Sequence, residues 1–481
     1  MGQVRHTSQV AILVAAMTAT PLMADETLDQ LLDGFDQPAE VVDPLSDDPN
    51  GLNGLMSGFD EVSSPTPSAG AIKNVEPSPL ELFGSLSLKG EYGYAHDAPA
   101  AGDPDYRGLS HLKFGVDLGF DYRINPRWKA HGEAKARYDA GYRLNGRDEF
   151  SPTLLDDEEK ELEIGELWVR GELADSVDIK VGRQIVVWGK SDNLSVTNIL
   201  NPIDNRSTGM VDVKDLRLPL MMAKLDYYFA GLGGNWGVSA IAIPEISFNK
   251  NPLFGSEYYP YPVPQADEVV PEDGPDNIEY ALAINGIFSG WDLSLYRAQL
   301  FDDNPYFTTE DGTPQLLHSR IQMSGVAANS VKGSWLFKGE MAHLSNLRYS
   351  NTLSAYRRLD MLLGVEYAGV KNTALSLELV HRQITDHDST LQTSGVDESA
   401  QQLALSIRND QMHDRLHLTG LVLLNDISTD NGGILRLSGE YELNDSLAVT
   451  LGIVDYISSS TLPFSGIEDN DRLFTEIEYQ F

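Results

Sequence analysis

The chain has no cysteine among its 481 residues. That excludes a disulfide framework, a thiolate nucleophile, a cysteine zinc site and a lipid anchor on cysteine. Beyond residue 24 no apolar run approaches the ~20 residues a membrane helix needs, so a helical membrane protein is excluded. Positive charge is scarce: 35 Lys and Arg stand against 72 Asp and Glu, a net of −37. Nucleic-acid binding relies on cations that neutralise phosphate, so no nucleic-acid partner is expected. GxSxG and HExxH do not occur. The stretch Gly182 to Ser191 mimics a phosphate loop but has six residues between its glycines, where four are required. His131-Gly132-Glu133 echoes a deaminase fragment whose cysteines are missing. No enzyme activity, metal site or cofactor is therefore expected.

What the chain does have is a period of two. From residue 111 to 124, Leu112, Phe114, Val116, Leu118, Phe120, Tyr122 and Ile124 face one way. His111, Lys113, Asp117, Asp121 and Arg123 face the other. After Asn125-Pro126-Arg127, the residues Trp128, Ala130, Gly132, Ala134, Ala136 and Tyr138 oppose Lys129, His131, Glu133, Lys135, Arg137 and Asp139. Soluble sandwiches also alternate, but over strands of about five or six residues. These runs are twice that length.

Short turns at 125–127, 174–176, 230–234, 288–290, 328–331, 368–372, 410–413 and 444–446 interleave with nine longer polar links. Eight short and nine long connections join eighteen strands; sixteen is the alternative count. Lipid gives backbone groups no partner, so an alternating sheet in a membrane must close on itself. The expected fold is all-β: a closed antiparallel transmembrane β-barrel with tight periplasmic turns and longer outside loops. Trp128, Trp236, Trp291 and Trp335 follow short turns and would form an inner-leaflet girdle. The closing strand is Leu473-Phe474-Thr475-Glu476-Ile477-Glu478-Tyr479-Gln480-Phe481, with Leu473, Ile477, Tyr479 and Phe481 toward lipid. It must pair with the first strand, Leu86 to Tyr94. A terminal Phe481 with an aromatic two residues earlier resembles the signal read by the barrel-assembly machinery, an expected partner. Two positions break the pattern. Leu162 and Ile164 are out of step with Leu167 and Val169, which implies a bulge near Gly165. Arg183 falls on the lipid parity, so either a bulge at Gly182 turns it inward or it sits at the interface.

Gly182-Arg183-Gln184-Ile185-Val186-Val187-Trp188-Gly189-Lys190, followed by Asn201-Pro202-Ile203-Asp204 and Leu218-Pro219, resembles a family of outer-membrane barrels classed as domain of unknown function thirteen-oh-two. The resemblance is best over residues 160–245. It implies an outer-membrane barrel acting beside inner-membrane transporters of the resistance-nodulation-division class, in export of lipid or other hydrophobic molecules.

The lumen-facing charges expected to line a pore are Lys113, Asp117, Arg123, Lys129, Glu133, Lys135, Arg137, Lys180, Lys224, Asp226, Arg382, Arg408, Arg436 and Glu440. They either select solutes by charge or simply face water and pair across strands. Residues 189–218 either fold into the mouth and narrow it or pack over the rim. The link 245–276, with Tyr258, Tyr259 and Tyr261, is a second candidate. His343 and His381 lie on the lipid parity, where a barrel lipase could place a histidine; interfacial packing is the competing role. Asp156 to Glu159 and Asp302-Asp303 could hold calcium or bridge lipopolysaccharide through divalent ions, but their spacing is unspecific for a metal site. Outer-membrane lipid and lipopolysaccharide are expected partners.

Arg5, His6 and the apolar run from Val10 to Met17 predict a signal peptide over 1–24. Residues 25–80 then form an acidic, disordered periplasmic segment, and 81–481 the barrel. Within 25–65, Leu28, Leu31 and Phe35 recur as Leu52, Leu55 and Phe59. Their helical spacing would present one apolar face to a partner groove, and an inner-membrane transporter is the expected occupant. The barrel's own basic lumen is the alternative. The functional expectation is an outer-membrane channel or export component for small or amphiphilic solutes. A lipid-modifying enzyme and a structural or adhesion barrel are the alternatives.

Overall fold

The computed structural model describes residues 78–481, apart from 100–103, 310–311, 353 and 428–429. The signal segment, most of the acidic segment and its repeat at Leu28, Leu31, Phe35, Leu52, Leu55 and Phe59 lie outside the described residues. Among those described, the main sheet has 18 strands. They run β1 Leu80–Gly93, β2 Gly108–Asn125, β3 Trp128–Asp139, β4 Lys160–Ala174, β5 Val177–Gln184 and β6 Leu220–Gly231. Then come β7 Gly234–Ile243, β8 Glu279–Phe288, β9 Trp291–Phe301, β10 Arg320–Lys332, β11 Trp335–Leu347 and β12 Tyr356–Val370. The last six are β13 Thr373–Ile384, β14 Ser399–Gln411, β15 Leu416–Leu424, β16 Gly433–Asn444, β17 Leu447–Ile457 and β18 Arg472–Gln480. Three short strands, Asp267–Val269, Tyr306–Thr308 and Gln315–Leu317, form a separate small sheet within the long links.

Each barrel strand pairs antiparallel with the next, and β18 returns to β1 in register from Ser85 with Gln480 to Gly93 with Arg472. Among the described residues no edge of this sheet is left for lipid to face, as closure requires. The fold is a closed 18-strand transmembrane barrel. Its outward face is the apolar one. On β2, Phe114, Val116, Leu118, Tyr122 and Ile124 are 37–54% exposed, and on β18 Leu473, Ile477, Tyr479 and Phe481 are 45–56% exposed. Polar side chains of the opposite parity point inward.

The expected alternation of eight short turns and nine long links holds, with one displacement. Residues 328–331 lie inside β10, and the turn is Gly333-Ser334. Gly333 takes φ +59°, a left-handed geometry that a two-residue hairpin demands and that glycine adopts freely. Asn329 and Ser330, which read as turn formers, are instead paired across to Asp292 and Trp291. The bulge near Gly165 is present: Gly165 and Glu166 sit where the partner strand has Glu133 alone. Around Gly182 the register is continuous, so no bulge turns Arg183 inward. It stays on the outer parity at the end of β5, ion-paired with Glu245, and its guanidinium donates to the Pro219 carbonyl at 2.7 Å.

A charge placed in the middle of the outward belt should cost about 2 to 4 kcal/mol. Leu118→Arg is expected to lower barrel stability by that amount in urea unfolding from phospholipid vesicles, whereas Glu440→Gln on the lumen side should change it by less than about 0.5 kcal/mol.

Candidate functional site: a segment folded into the lumen

After β5 the chain does not turn directly into β6. Residues 185–219 run inside the barrel, and their apolar side chains bury themselves on one sector of the inner wall. Val186, Trp188, Val196 and Leu200 share a cluster with Ile241, Ala283, Tyr296, Met323, Ala342, Leu362 and Val380 from β7 to β13. The inner face of this sector is thus largely apolar, and the segment covers it. Trp188 stacks on Tyr296, with centroids 4.6 Å apart and planes at 19°.

Two wall carboxylates hold the segment. Glu340 on β11 accepts from the backbone N–H groups of Lys190 (2.5 Å), Ser191 (2.9 Å) and Thr197 (3.1 Å), and from the Thr197 hydroxyl at 2.7 Å. Glu378 on β13 accepts from the N–H groups of Asp192, Asn193 and Leu194 at 2.7 to 3.1 Å. Both carboxylates are buried. A carboxylate taken out of water is costly unless its lone pairs are satisfied, and charge-assisted bonds to backbone donors supply that. Lys338 adds an ion pair to Asp192 at 2.5 Å.

The segment then crosses to the far wall. Lys89 donates to the Met210 carbonyl at 3.2 Å and the Tyr456 hydroxyl to the Thr208 carbonyl at 2.5 Å, while on the near wall Arg382 of β13 donates to the Ser195 carbonyl at 3.0 Å. Arg436 pairs with Asp212. Arg206 meets Asp204 and Glu161 at 2.6 Å and Asp157 at 3.6 Å. Of the two roles open to 189–218, narrowing the lumen is the one the geometry takes.

The motif residues build this segment. Gly182 has φ +137°, and a Cβ there would lie 2.1 Å from the Leu167 carbonyl oxygen. Gly189 has φ +89°, and its Cβ would meet both Glu340 oxygens below 3 Å. Gln184, fully buried, donates to the Met222 carbonyl at 3.1 Å. Asn201 accepts from the Val186 N–H (2.8 Å) and donates to the carbonyls of Leu218 (2.9 Å) and Gln184 (3.2 Å), so it ties the segment's start to its end. The Pro202 carbonyl accepts from the Leu218 N–H at 2.8 Å.

The second long link, 244–278, also enters the barrel. Glu257 reaches Arg472 on the closing strand at 2.6 Å, His96 at 2.8 Å and His111 at 2.8 Å. Arg472 also meets Glu91 at 3.3 Å, and His111 meets Asp139 at 2.5 Å. Tyr258 and Tyr456 lie against the Arg472 guanidinium, 4.8 and 5.9 Å from ring centroid to charge. This buried cluster bridges β1 and β18, the seam that closes the barrel. Burial pushes the Glu257 carboxyl up, but the Arg472 charge and the His111 and His96 hydrogen bonds overcome this and hold it well below the usual carboxylate range. Between the two links lies a cavity of about 1290 Å³ on the long-link side, lined among others by Asn193, Asn198, Tyr259, Tyr261, Arg358 and Arg382.

The inward charges differ in their surroundings. Lys135, Arg408 and Glu440 are exposed toward the lumen. Asp117 and Arg137 pair at 2.8 Å, Lys113 approaches Glu91 at 3.6 Å, and Glu133 contacts His131 at 3.2 Å. Lys129 and Lys180 lie over the Trp168 ring at 5.2 and 4.3 Å. Arg123 is at the short-turn end of β2, where its N–H donates to the Pro79 carbonyl. Lys224 and Asp226 are buried and paired at 3.4 Å, so they belong to the packed wall and not to a wet lining. Arg382 and Arg436 are anchors of the segment. Sequence reasoning missed Glu340, Glu378, Glu257 and Arg472. For Glu340 and Glu378 the signal was a carboxylate on the inward parity beside the apolar Ala342, Leu344 and Val380; Glu257 lies in a link, where parity says nothing. Asp157, Glu158 and Glu159 are engaged with Arg206, Tyr142 and Arg147. Among the described residues no cluster of His, Asp or Glu is arranged to hold a metal ion. His343 and His381 both lie on the outward face, opposite Leu359 and Met361.

An apolar outer belt around a polar, partly filled lumen defines a porin-like outer-membrane barrel. More narrowly, the chain belongs to the family described as protein of unknown function (DUF1302), which matches residues 109–481. No curated protein matches it. Among solved structures it is similar to OmpF of Salmonella typhi in complex with daunomycin, at 11% identity over 84% of this chain and 97% of that one, with a TM-score of 0.39. An anion-selective porin from Comamonas acidovorans is 11% identical over 84% and 99%, at 0.38. The outer-membrane channel DcaP of Acinetobacter baumannii is 12% identical over 84% and 97%, also at 0.38.

Gly189→Ala should destabilise the native segment by about 1 to 3 kcal/mol, because alanine is strained at that φ and its Cβ displaces Glu340. Faster protease cleavage within 185–219 of an otherwise folded barrel is the readout. Glu257, with a depressed native pKa, stabilises fully above the ordinary glutamate value of about 4.3 and loses that contribution only as pH falls through the native value. The link 244–278 is accordingly expected to stay protease-resistant from pH 8 to about 5 and to loosen only in stronger acid, while Glu257→Gln loosens it at neutral pH.

Proposed function

We infer that this protein is an outer-membrane channel for small or amphiphilic solutes, whose conductance is set by the segment 185–219. The observation that carries this reading is the pair of buried carboxylates, Glu340 and Glu378, which together accept seven hydrogen bonds from the segment. An 18-strand barrel is wide enough for a water-filled lumen. A stretch held across it narrows that lumen and gives the remaining aperture a mixed lining. On the long-link side solutes meet the cavity, where Tyr259 and Tyr261 offer ring faces and Arg358 and Arg382 offer charge. The exposed cations Lys135 and Arg408 favour anionic groups beyond it. Passage involves no covalent step. Through the acidic segment 25–65 the barrel would meet an inner-membrane transporter, making it the outer station of an export route, and Phe481 would mark it for the assembly machinery.

Single-channel recording in planar bilayers tests the reading. Glu340→Ala with Glu378→Ala should raise the unit conductance several-fold over wild type and make it noisier, as the segment leaves the wall. Equal conductance in the two proteins, with both folded by heat-modifiable mobility, would contradict it.

A further inference from the structure

The outward belt is not uniform. On β2 apolar side chains face out from Leu112 to Ile124, about 40 Å of strand and about 30 Å of height at the usual tilt. On β9 they run only from Trp291 to Leu295, and Arg297 then faces out, about 15 Å above the tryptophan where a belt of ~25 Å is normal. The break continues sideways. Across neighbouring strands Arg297 stands opposite Ser324, and Ser324 opposite His343. One layer higher Gln299 stands opposite Gln322, and Gln322 opposite Ser345. This patch is a polar notch cut into the outer half of the hydrophobic surface.

Hydrocarbon offers these groups nothing to bond with. Arg297 donates to the Ser324 hydroxyl at 2.6 Å and to the Gln322 side-chain carbonyl at 2.6 Å. Those two contacts leave three of its five donors for something else among the described residues. Beside it lies a groove of about 440 Å³ on the outer surface, floored by Ala223, Ala240 and Ala242 and rimmed by Tyr280, Arg297 and Gln299. The floor is wide enough for an acyl chain because three small side chains occur on adjacent strands. In a chain of net charge −37, no Asp or Glu lies on the outward face of β8 to β11, while Arg297 does.

We propose that the notch and groove on β6 to β11 bind an anionic amphiphile of the outer leaflet, its phosphate on Arg297 and an acyl chain on the alanine floor. The bound lipid closes the gap in the belt. It lies back to back with the segment's anchor, because Tyr296 on the same strand supports Trp188 from inside. This inference rests on the outer-membrane placement, but not on channel activity, since Arg297 does not face the lumen.

The test uses the full barrel, purified in detergent, incubated with bisphosphorylated lipid A and read by native mass spectrometry. Wild type should retain lipid A, and Arg297→Ala should retain it about tenfold less, equivalent to about 1.4 kcal/mol. Arg297→Lys, which keeps the charge, should recover most of the retention. Dephosphorylated lipid A should bind wild type as weakly as the phosphorylated form binds Arg297→Ala. Channel conductance should not change, so failure here and failure of the channel reading are separable. Equal retention by wild type and Arg297→Ala overturns the proposal. So does a change in the number of subunits with lipid retention intact, which would assign the notch to a second copy of the chain. If Arg297→Ala does not fold, the wild-type comparison decides alone: equal binding of phosphorylated and dephosphorylated lipid A overturns the proposal.

Discussion

Hydrocarbon accepts no hydrogen bond from a peptide group, and every major feature of this barrel follows from that constraint. The sheet closes, β18 onto β1, because any edge left open would face lipid. Closure fixes which parity of each strand points in and which points out. It also places β1 beside β18, and this is where Glu91, Arg472 and Glu257 gather into a buried ionic cluster. Removing one member of such a cluster leaves an uncompensated charge, typically a loss of about 3 to 5 kcal/mol, although the intact cluster need not exceed an apolar substitute in stability. Its value here is positional, since it fixes the link 244–278 inside the seam.

The inner surface answers a second requirement, that apolar side chains avoid water. From β7 to β13 the inward parity carries Ile241, Ala283, Met323, Ala342, Leu362 and Val380, which would be uncovered in a water-filled pore. The segment 185–219 covers them, and Glu340 and Glu378 take up the backbone donors of residues 190–194 and 197, which pair with no strand. The remaining sector, with Lys135, Arg137, Arg408 and Glu440, stays polar.

Much of this was legible in the sequence. The period of two, the alternation of short and long links and the aromatic closing strand together point to a closed barrel of eighteen strands with sixteen as the alternative, because each follows from local geometry that lipid enforces. The bulge at Gly165 was visible for the same reason: a slip in parity between Ile164 and Leu167. Residues 328–331 misled because Asn and Ser favour turns locally, while pairing to β9 outweighed that preference. The site was harder to read. Trp188-Gly189 and Asn201-Pro202 stood out as a motif, but what they touch is set by residues about 150 positions away, such as Glu340, and no local pattern carries that distance. Parity puts the inward charges in one class because it reports direction and not company. Lys224 with Asp226, and Arg436 with Asp212, differ from Lys135 only in what folds over them.

Segment 185–219 lies against the inner wall of β10 and β11, and the proposed control of conductance depends on its staying there. Absence of native cysteine makes it directly measurable. A Cβ on Gly325 would lie 3.0 Å from the Thr197 methyl carbon, close enough for a disulfide between Thr197→Cys and Gly325→Cys. Oxidation of the double variant in outer-membrane vesicles should form this bond in the folded barrel, and single channels should then show one steady low conductance that reduction makes fluctuate. A folded barrel that forms no such bond under oxidising conditions, or whose conductance is the same oxidised and reduced, would contradict the account.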